Sequence, residues 1–233
     1  RRPAGTRRAL GVSLVRSVVV IDEAHNLVDT INDMHSARLS ASHLSDVCAQ
    51  LAHYEDRYRA RFKPANRQMV QQLLFVTRAL RRALLPGSAP PHPPATAATG
   101  GGAAPPAAVE RILGVNAFLS ALNIDNINML RLQTFCTDSD IAKKLRGFGL
   151  AQQQACQPHG GRTWHAARAT LHPVLELLNA LVNSDSDARV LLHIEPATAQ
   201  TDAAGGSAPE TWMRVMHLNP ANKFTQVLRE AHS

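Results

Sequence analysis

The chain has 233 residues, 45% of them hydrophobic, which is enough for a substantial core in one large domain or two small ones. No stretch reaches 18 uninterrupted apolar residues, which excludes a membrane-spanning helix of ordinary length. The formal net charge of +7 is unevenly placed: residues 1–85 carry 14 Lys/Arg against 7 Asp/Glu, and the remainder is balanced at 11 against 11. A basic face of this kind suits a polyanion, and equally a solvated helical surface. Aromatics make up only 4%, and Ala and Leu dominate, which favours helices. Cys48, Cys136 and Cys156 are odd in number and widely spaced, so neither a disulfide framework nor a zinc site is expected, and reduced thiols in an intracellular protein are the simplest reading. The chain opens on Arg1, without Met or a signal peptide, as a piece of a longer protein would.

Residues 1–16 are basic; a short helix from Thr6 to Leu10 would stop at Gly11. Residues 18–25 then read Val-Val-Val-Ile-Asp-Glu-Ala-His. A β-branched run at about 17–21 predicts a buried strand that ends in two adjacent carboxylates. Such a strand can deliver acids to a nucleotide site, with Asp22 holding Mg²⁺ through water and Glu23 orienting or deprotonating the water that attacks a γ-phosphate. The plainer reading is a strand whose acids simply favour the start of the next helix. After His25, the residues Leu27, Val28, Ile31 and Met34 recur at helical spacing.

The next helix is expected at about 43–62, capped by Ser40 or Ser42 and closed by Pro64, with Leu44, Val47, Leu51, Tyr54 and Tyr58 as its apolar stripe. A second follows at about 66–85. Arg57, Arg59 and Arg61 on the first and Arg78, Arg81 and Arg82 on the second make a basic antiparallel hairpin. Residues 86–107 hold seven of the 14 prolines, three consecutive glycines and no Asp, Glu, Lys or Arg, the composition of a disordered linker. Those glycines follow no strand and precede no Lys-Ser/Thr, so they do not form a phosphate loop.

Helical patterning resumes at about 108–122, through Val109, Ile112, Leu113, Ala117 and Leu119. Shorter helices are expected at 126–136 and 138–146, the latter capped by Asp138 or Ser139, with 147–166 irregular and Trp164 a packing anchor. A helix at about 167–183 must keep Pro173 in its first turn. Residues 189–195 and 211–218 both read as strands and predict an antiparallel hairpin, followed by a helix at about 220–231.

With these elements placed, the sequence resembles the iron–sulfur DEAH-box DNA helicases of superfamily two, the XPD/FANCJ-like group, and within it the ChlR/CHL-type sister-chromatid cohesion helicases. Three passages carry the resemblance: VVVIDEAHNLVDTI, similar to motif II; DMHS with NIDNINMLRLQTFC and KKLRGFG, similar to the helical Arch insertion; and WMRVMHLNPANKFTQVL, similar to the return into the first motor lobe. The resemblance implies a mostly helical α/β fold. Residues 1–39 would belong to a RecA-like P-loop motor lobe, 40–185 to the Arch insertion, and 186–233 to a C-terminal β-hairpin plus helix that rejoins the lobe. It implies that Asp22 is the Mg²⁺ ligand, that Glu23 is the catalytic acid, and that Ala24 and His25 complete the motif, with His25 linking the nucleotide site to the second lobe.

ATP and Mg²⁺ are the implied cofactors, and the partners are single-stranded or forked DNA and replication or cohesion proteins, with no membrane. DNA repair and sister-chromatid cohesion in the nucleus, with 5′–3′ polarity, follow from the same likeness. The family's 4Fe–4S cluster is also implied, but none of the three cysteines here inherits a ligand role, since the family's cluster cysteines precede motif II. No GxxxxGK[ST] occurs in the 233 residues, so the chain alone is expected to be inactive. Read without the motif, the same helices suit a non-enzymatic interaction module or a degenerate helicase remnant.

Overall fold

The computed structural model describes residues 10–11, 18, 20, 22–85, 108–155, 169–195, 210–219, 221 and 225. A single 3₁₀ turn, Ala24–Asn26, runs into α1 (Leu27–His35) and then a short strand, β1 (Ala37–Ser40). The hairpin follows as α2 (Ala41–Tyr58) and α3 (Pro64–Ala83). After β2 (Val109–Gly114) come α4 (Val115–Ala121), α5 (Met129–Asp138), α6 (Ile141–Ala155) and α7 (His172–Val182), followed by β3 (Ala188–Ile194) and β4 (Trp212–His217). The architecture is a mostly helical α/β arrangement around one small sheet.

That sheet is antiparallel throughout, in the order β1-β4-β3-β2. Alternation sets its two faces. Ala188, Val190, Leu192 and Ile194 of β3 and Met213, Val215 and His217 of β4 are buried, while the residues between them are partly open. The apolar face packs on α7, which lies against β1 and β4 with Val174, Leu177, Leu178 and Leu181 buried. One sheet thus joins strands from all three stretches delimited in the sequence, 1–39, 40–185 and 186–233.

Local chemistry explains the hairpin's limits. Ser40 Oγ accepts the His43 N–H at 3.3 Å and caps α2. Pro64 does not close that helix. α2 ends at Tyr58, and Pro64 sits in the first turn of α3, where a missing N–H costs nothing and the fixed φ is already helical. Leu44, Val47 and Leu51 of α2 and Val70, Leu73, Val76 and Leu80 of α3 are almost fully buried, so the two helices hold each other by their apolar stripes. At the turn Tyr54, Tyr58, Phe62 and Phe148 form an aromatic knot with ring centroids 4.9–5.8 Å apart. Gln50, fully buried, donates from Nε2 to the Leu145 carbonyl at 3.1 Å and ties α2 to α6; Gln133 donates to Asn179 Oδ1 at 2.7 Å and ties α5 to α7.

Four further sequence expectations need correction. The helix expected at 108–122 is a strand in its first half: Val109, Ile112 and Leu113 fit helical spacing, but the adjacent edge of β3 pairs residue by residue from Val109↔Ile194 to Gly114↔Arg189, and tertiary pairing overrides the local pattern. The helix expected at 138–146 is capped by neither Asp138 nor Ser139. α5 runs through Asp138, and Asp140, at φ 50°, turns the chain so that its carbonyl accepts the N–H groups of Lys143 and Lys144. α6 then extends to Ala155, past the expected stop at 146, because Leu145 and Phe148 anchor its Gly-containing stretch. In the strand expected at 17–21, the described residues Val18 and Val20 lie in no strand and are 92% and 87% exposed; no strand among the described residues lies beside them. Residues 1–9, 17, 19 and 21, the linker 86–107, Trp164 and most of 220–231 lie outside the described residues; Ala221 and Thr225, within the last stretch, are helical.

Candidate functional site

The four motif residues sit together at the entrance to α1. Asp22 Oδ1 accepts the backbone N–H of Glu23 at 2.9 Å. Glu23 adopts φ 52°, ψ 43°, a left-handed conformation that costs a non-glycine residue about 1–3 kcal/mol. Its carbonyl accepts the Asn26 N–H at 3.0 Å, which closes the 3₁₀ turn through Ala24 and His25. Its carboxylate Oε2 lies 3.1 Å from His25 Nδ1. The local chain therefore reverses on Glu23, and the Asp22 and Glu23 carboxylates are presented together at the surface.

Oxygen donors of this kind match a hard cation such as Mg²⁺, which is commonly held by one or two carboxylates and otherwise by water and phosphate. No cluster of three or more His, Cys, Asp or Glu able to hold a metal occurs among the described residues, so Asp22 and Glu23 would supply only part of a coordination shell. The two thiols among the described residues do not suit a cluster: burial pushes the Cys136 thiol up to about 12 and raises Cys48 as well, the reverse of the thiolate that an iron–sulfur ligand requires.

The six candidate arginines fall into two groups. Arg57, Arg59 and Arg61 are exposed at the hairpin turn, with the Arg61 guanidinium 6.0 Å from the Tyr58 ring. Arg78 and Arg82 are exposed, and Arg81 half-buried, near the other end of α3. At 1.5 Å per residue the groups stand about 20–27 Å apart along that helix. Arg78 and Arg81 lie close enough to Cys48 for their charge to oppose the upward push of burial on its thiol. The turn also holds a shallow depression of about 350 Å³ lined by Arg59, Phe62, Pro64, Arg67, Gln68 and Gln71. Arg67 within it is engaged with Glu55 Oε1 at 3.3 Å.

Sequence reading missed a further constellation, on the face of the sheet opposite the apolar one. His193 of β3 contacts Glu110 of β2 and Glu195 and stacks on Trp212 of β4. The only local signal for it is the His-x-Glu spacing at 193 and 195, which puts both side chains on one face of a strand.

Comparison with known proteins places this sequence in a family. The DEAD_2 family profile matches residues 3–44, which span the motif, α1, β1 and the first turn of α2. Over 259 residues the chain is 32% identical to "ATP-dependent DNA helicase DDX11" of Homo sapiens, covering 99% of this chain and 25% of that protein. The chain belongs to the DDX11/Chl1 family. The Danio rerio DDX11 is 29% identical, with 99% of this chain and 28% of that protein covered. "ATP-dependent DNA helicase chl1" of Aspergillus niger is 25% identical, with 97% and 23% covered. The chain spans about a quarter of the length of these DDX11/Chl1 relatives.

Proposed function

We propose that this chain forms part of an ATP-dependent DNA helicase, in which Asp22 and Glu23 belong to the ATPase site and the basic hairpin contacts the DNA strand. The carrying observation is the octet at 18–25 leading directly into α1, inside a likeness to helicases that runs almost the whole length of the chain. In this reading residues 1–39 and 186–233 contribute to a RecA-like lobe, and 40–185 form an Arch-like insertion.

Bound Mg²⁺ would supply charge neutralisation to the nucleotide phosphates. Asp22 would hold that ion, and Glu23 would orient the attacking water and accept its proton. His25, 3.1 Å from the Glu23 carboxylate, fixes that carboxylate's direction and carries the state of the nucleotide site outward. Arg57, Arg59 and Arg61 bind phosphates of a single strand at the hairpin turn, with Tyr58 and Phe62 beside them as stacking surfaces. Arg78, Arg81 and Arg82 form a second, separate contact. Unwinding in the 5′–3′ direction, action on forked DNA in the nucleus, and work with replication or cohesion proteins complete the proposal.

On its own the 233-residue chain turns over no ATP, because it contains no GxxxxGK[ST] to cradle the phosphates. The test is Glu23→Gln in the full-length protein. ATP turnover should be lost while ATP binding persists. Retained turnover would remove Glu23 from the role given to it.

A further inference from the structure

On the open face of the sheet a row of side chains runs across all four strands. The register sets Glu110 of β2 opposite His193 of β3, and His193 opposite Trp212 of β4. His193 Nδ1 lies 3.1 Å from Glu110 Oε1, and its Nε2 lies 2.9 Å from Glu195 Oε1. Its ring stacks on the Trp212 indole, centroids 5.2 Å apart and planes 15° apart, while the Arg38 guanidinium of β1 lies 4.3 Å over the same indole. Because β1 and β3 flank β4, Trp212 stands between them.

The hydrogen-bond inventory of this row decides the state of the ring. An ionised carboxylate accepts hydrogen bonds and donates none, and a neutral imidazole offers one N–H and one lone pair. Two carboxylates on two ring nitrogens are both satisfied only when both nitrogens carry hydrogen, as in imidazolium. The two carboxylates approach opposite sides of the ring and do not converge on a common point, so the arrangement is a bracket and not a metal site. The cation then also gains from the indole face.

We propose that His193 is a charged clasp that fastens the edge strand β2 to the sheet and loosens it when the ring loses its proton. β2 has β3 as its one neighbour in the described sheet, follows the 86–107 tract in sequence and leads directly into α4. Its attachment therefore governs how firmly the start of α4 is held to the sheet.

The charged groups around the ring are consistent in direction. Hydrogen bonding to Glu195 leads in raising the His193 pKa, burial opposes it, and Glu110 adds to the rise. Arg38 stands across the indole, and Arg214, further along β4 on the same face, is occupied by Asp33 of α1 at 3.1 Å. Since the folded pKa is raised above the ordinary 6.5, the clasp contributes fully below that value and is lost as pH rises through the higher folded one.

The chain has two tryptophans, so a Trp164→Phe chain reports Trp212 alone. Its fluorescence should increase through a single transition as pH rises, because imidazolium quenches a stacked indole more than imidazole does. The midpoint should lie above 6.5, move down in Glu110→Gln and in Glu195→Gln, and vanish in His193→Gln. Amide-exchange protection over 109–114 should fall about tenfold for each unit by which Glu110→Gln lowers that midpoint, and should stay level in His193→Gln. Glu110 is 63% exposed, so its substitution leaves the fold intact and keeps the test decisive. A midpoint at or below 6.5, or one that Glu110→Gln leaves unmoved, or protection indifferent to the transition, overturns the clasp.

Discussion

Replacing Arg57, Arg59 and Arg61 together with glutamine removes three exposed cations from the hairpin turn while leaving Arg67, already paired with Glu55, in place. If each cation neutralises one phosphate, the slope of log affinity against log salt for a single strand should flatten by about 0.7 per contact, or about 2 in all. Raising salt from about 50 to about 200 mM should then weaken the parent chain roughly 20-fold more than the variant. Fluorescence anisotropy of a labelled oligonucleotide across that salt range measures both slopes. The variant should keep its thermal midpoint, because none of the three side chains is buried. Arg78→Gln with Arg82→Gln serves as the comparison from the far end of α3. An unchanged slope in the triple variant would refute the assignment of the hairpin turn to phosphate contact.

Two further outcomes test the packing described here. Leu51→Ala on α2 deletes a fully buried side chain and should cost about 2–5 kcal/mol, whereas Phe75→Ala on α3, 45% exposed, should cost far less; urea unfolding separates them, and equal losses would contradict the hairpin interface. In a Cys156→Ser chain, Cys136 should react with a thiol reagent at pH 8 about a thousandfold more slowly than an ordinary thiol, since burial moves it from 9.0 to about 12; native-state labelling at an exposed-thiol rate would show that α5 does not bury it.

The parts of the fold legible in the sequence are those written locally. Ser40 before a 3.6-residue apolar stripe marks the start of α2, and strict alternation through Arg189–Glu195 and Trp212–His217 marks the β3–β4 hairpin. β2 was unreadable because what makes Val109–Gly114 a strand is an edge supplied some 80 residues later, while its own apolar spacing suits a helix. α6 outran its expected end for a similar reason: Gly147 and Gly149 lower helix propensity, and Leu145 and Phe148, buried against other elements, outweigh them. Asp22, Glu23 and His25 are proposed from a contiguous motif, and the structure shows all three exposed around one turn. The arginines were visible as charge, but their division into two groups depends on helix length and on where the hairpin reverses. The His193 bracket draws on β2, β3 and β4, so no window of sequence contains it.

Ala37 pairs with Val215 in a four-residue strand, so the ladder between β1 and β4 closes a loop of roughly 180 residues. Chain entropy makes that closure slow, whereas the α2–α3 hairpin requires only a short turn. The hairpin should therefore form early, and β1 should join the sheet late, after β3 and β4 have paired. A chain emerging from the ribosome would expose the inner residues of β1, Ala37 and Leu39, until β4 is made. Premature termination before residue 212 would leave a helical body in which β1 lacks its β4 partner, and an unpaired strand of this kind is a seed for association between copies.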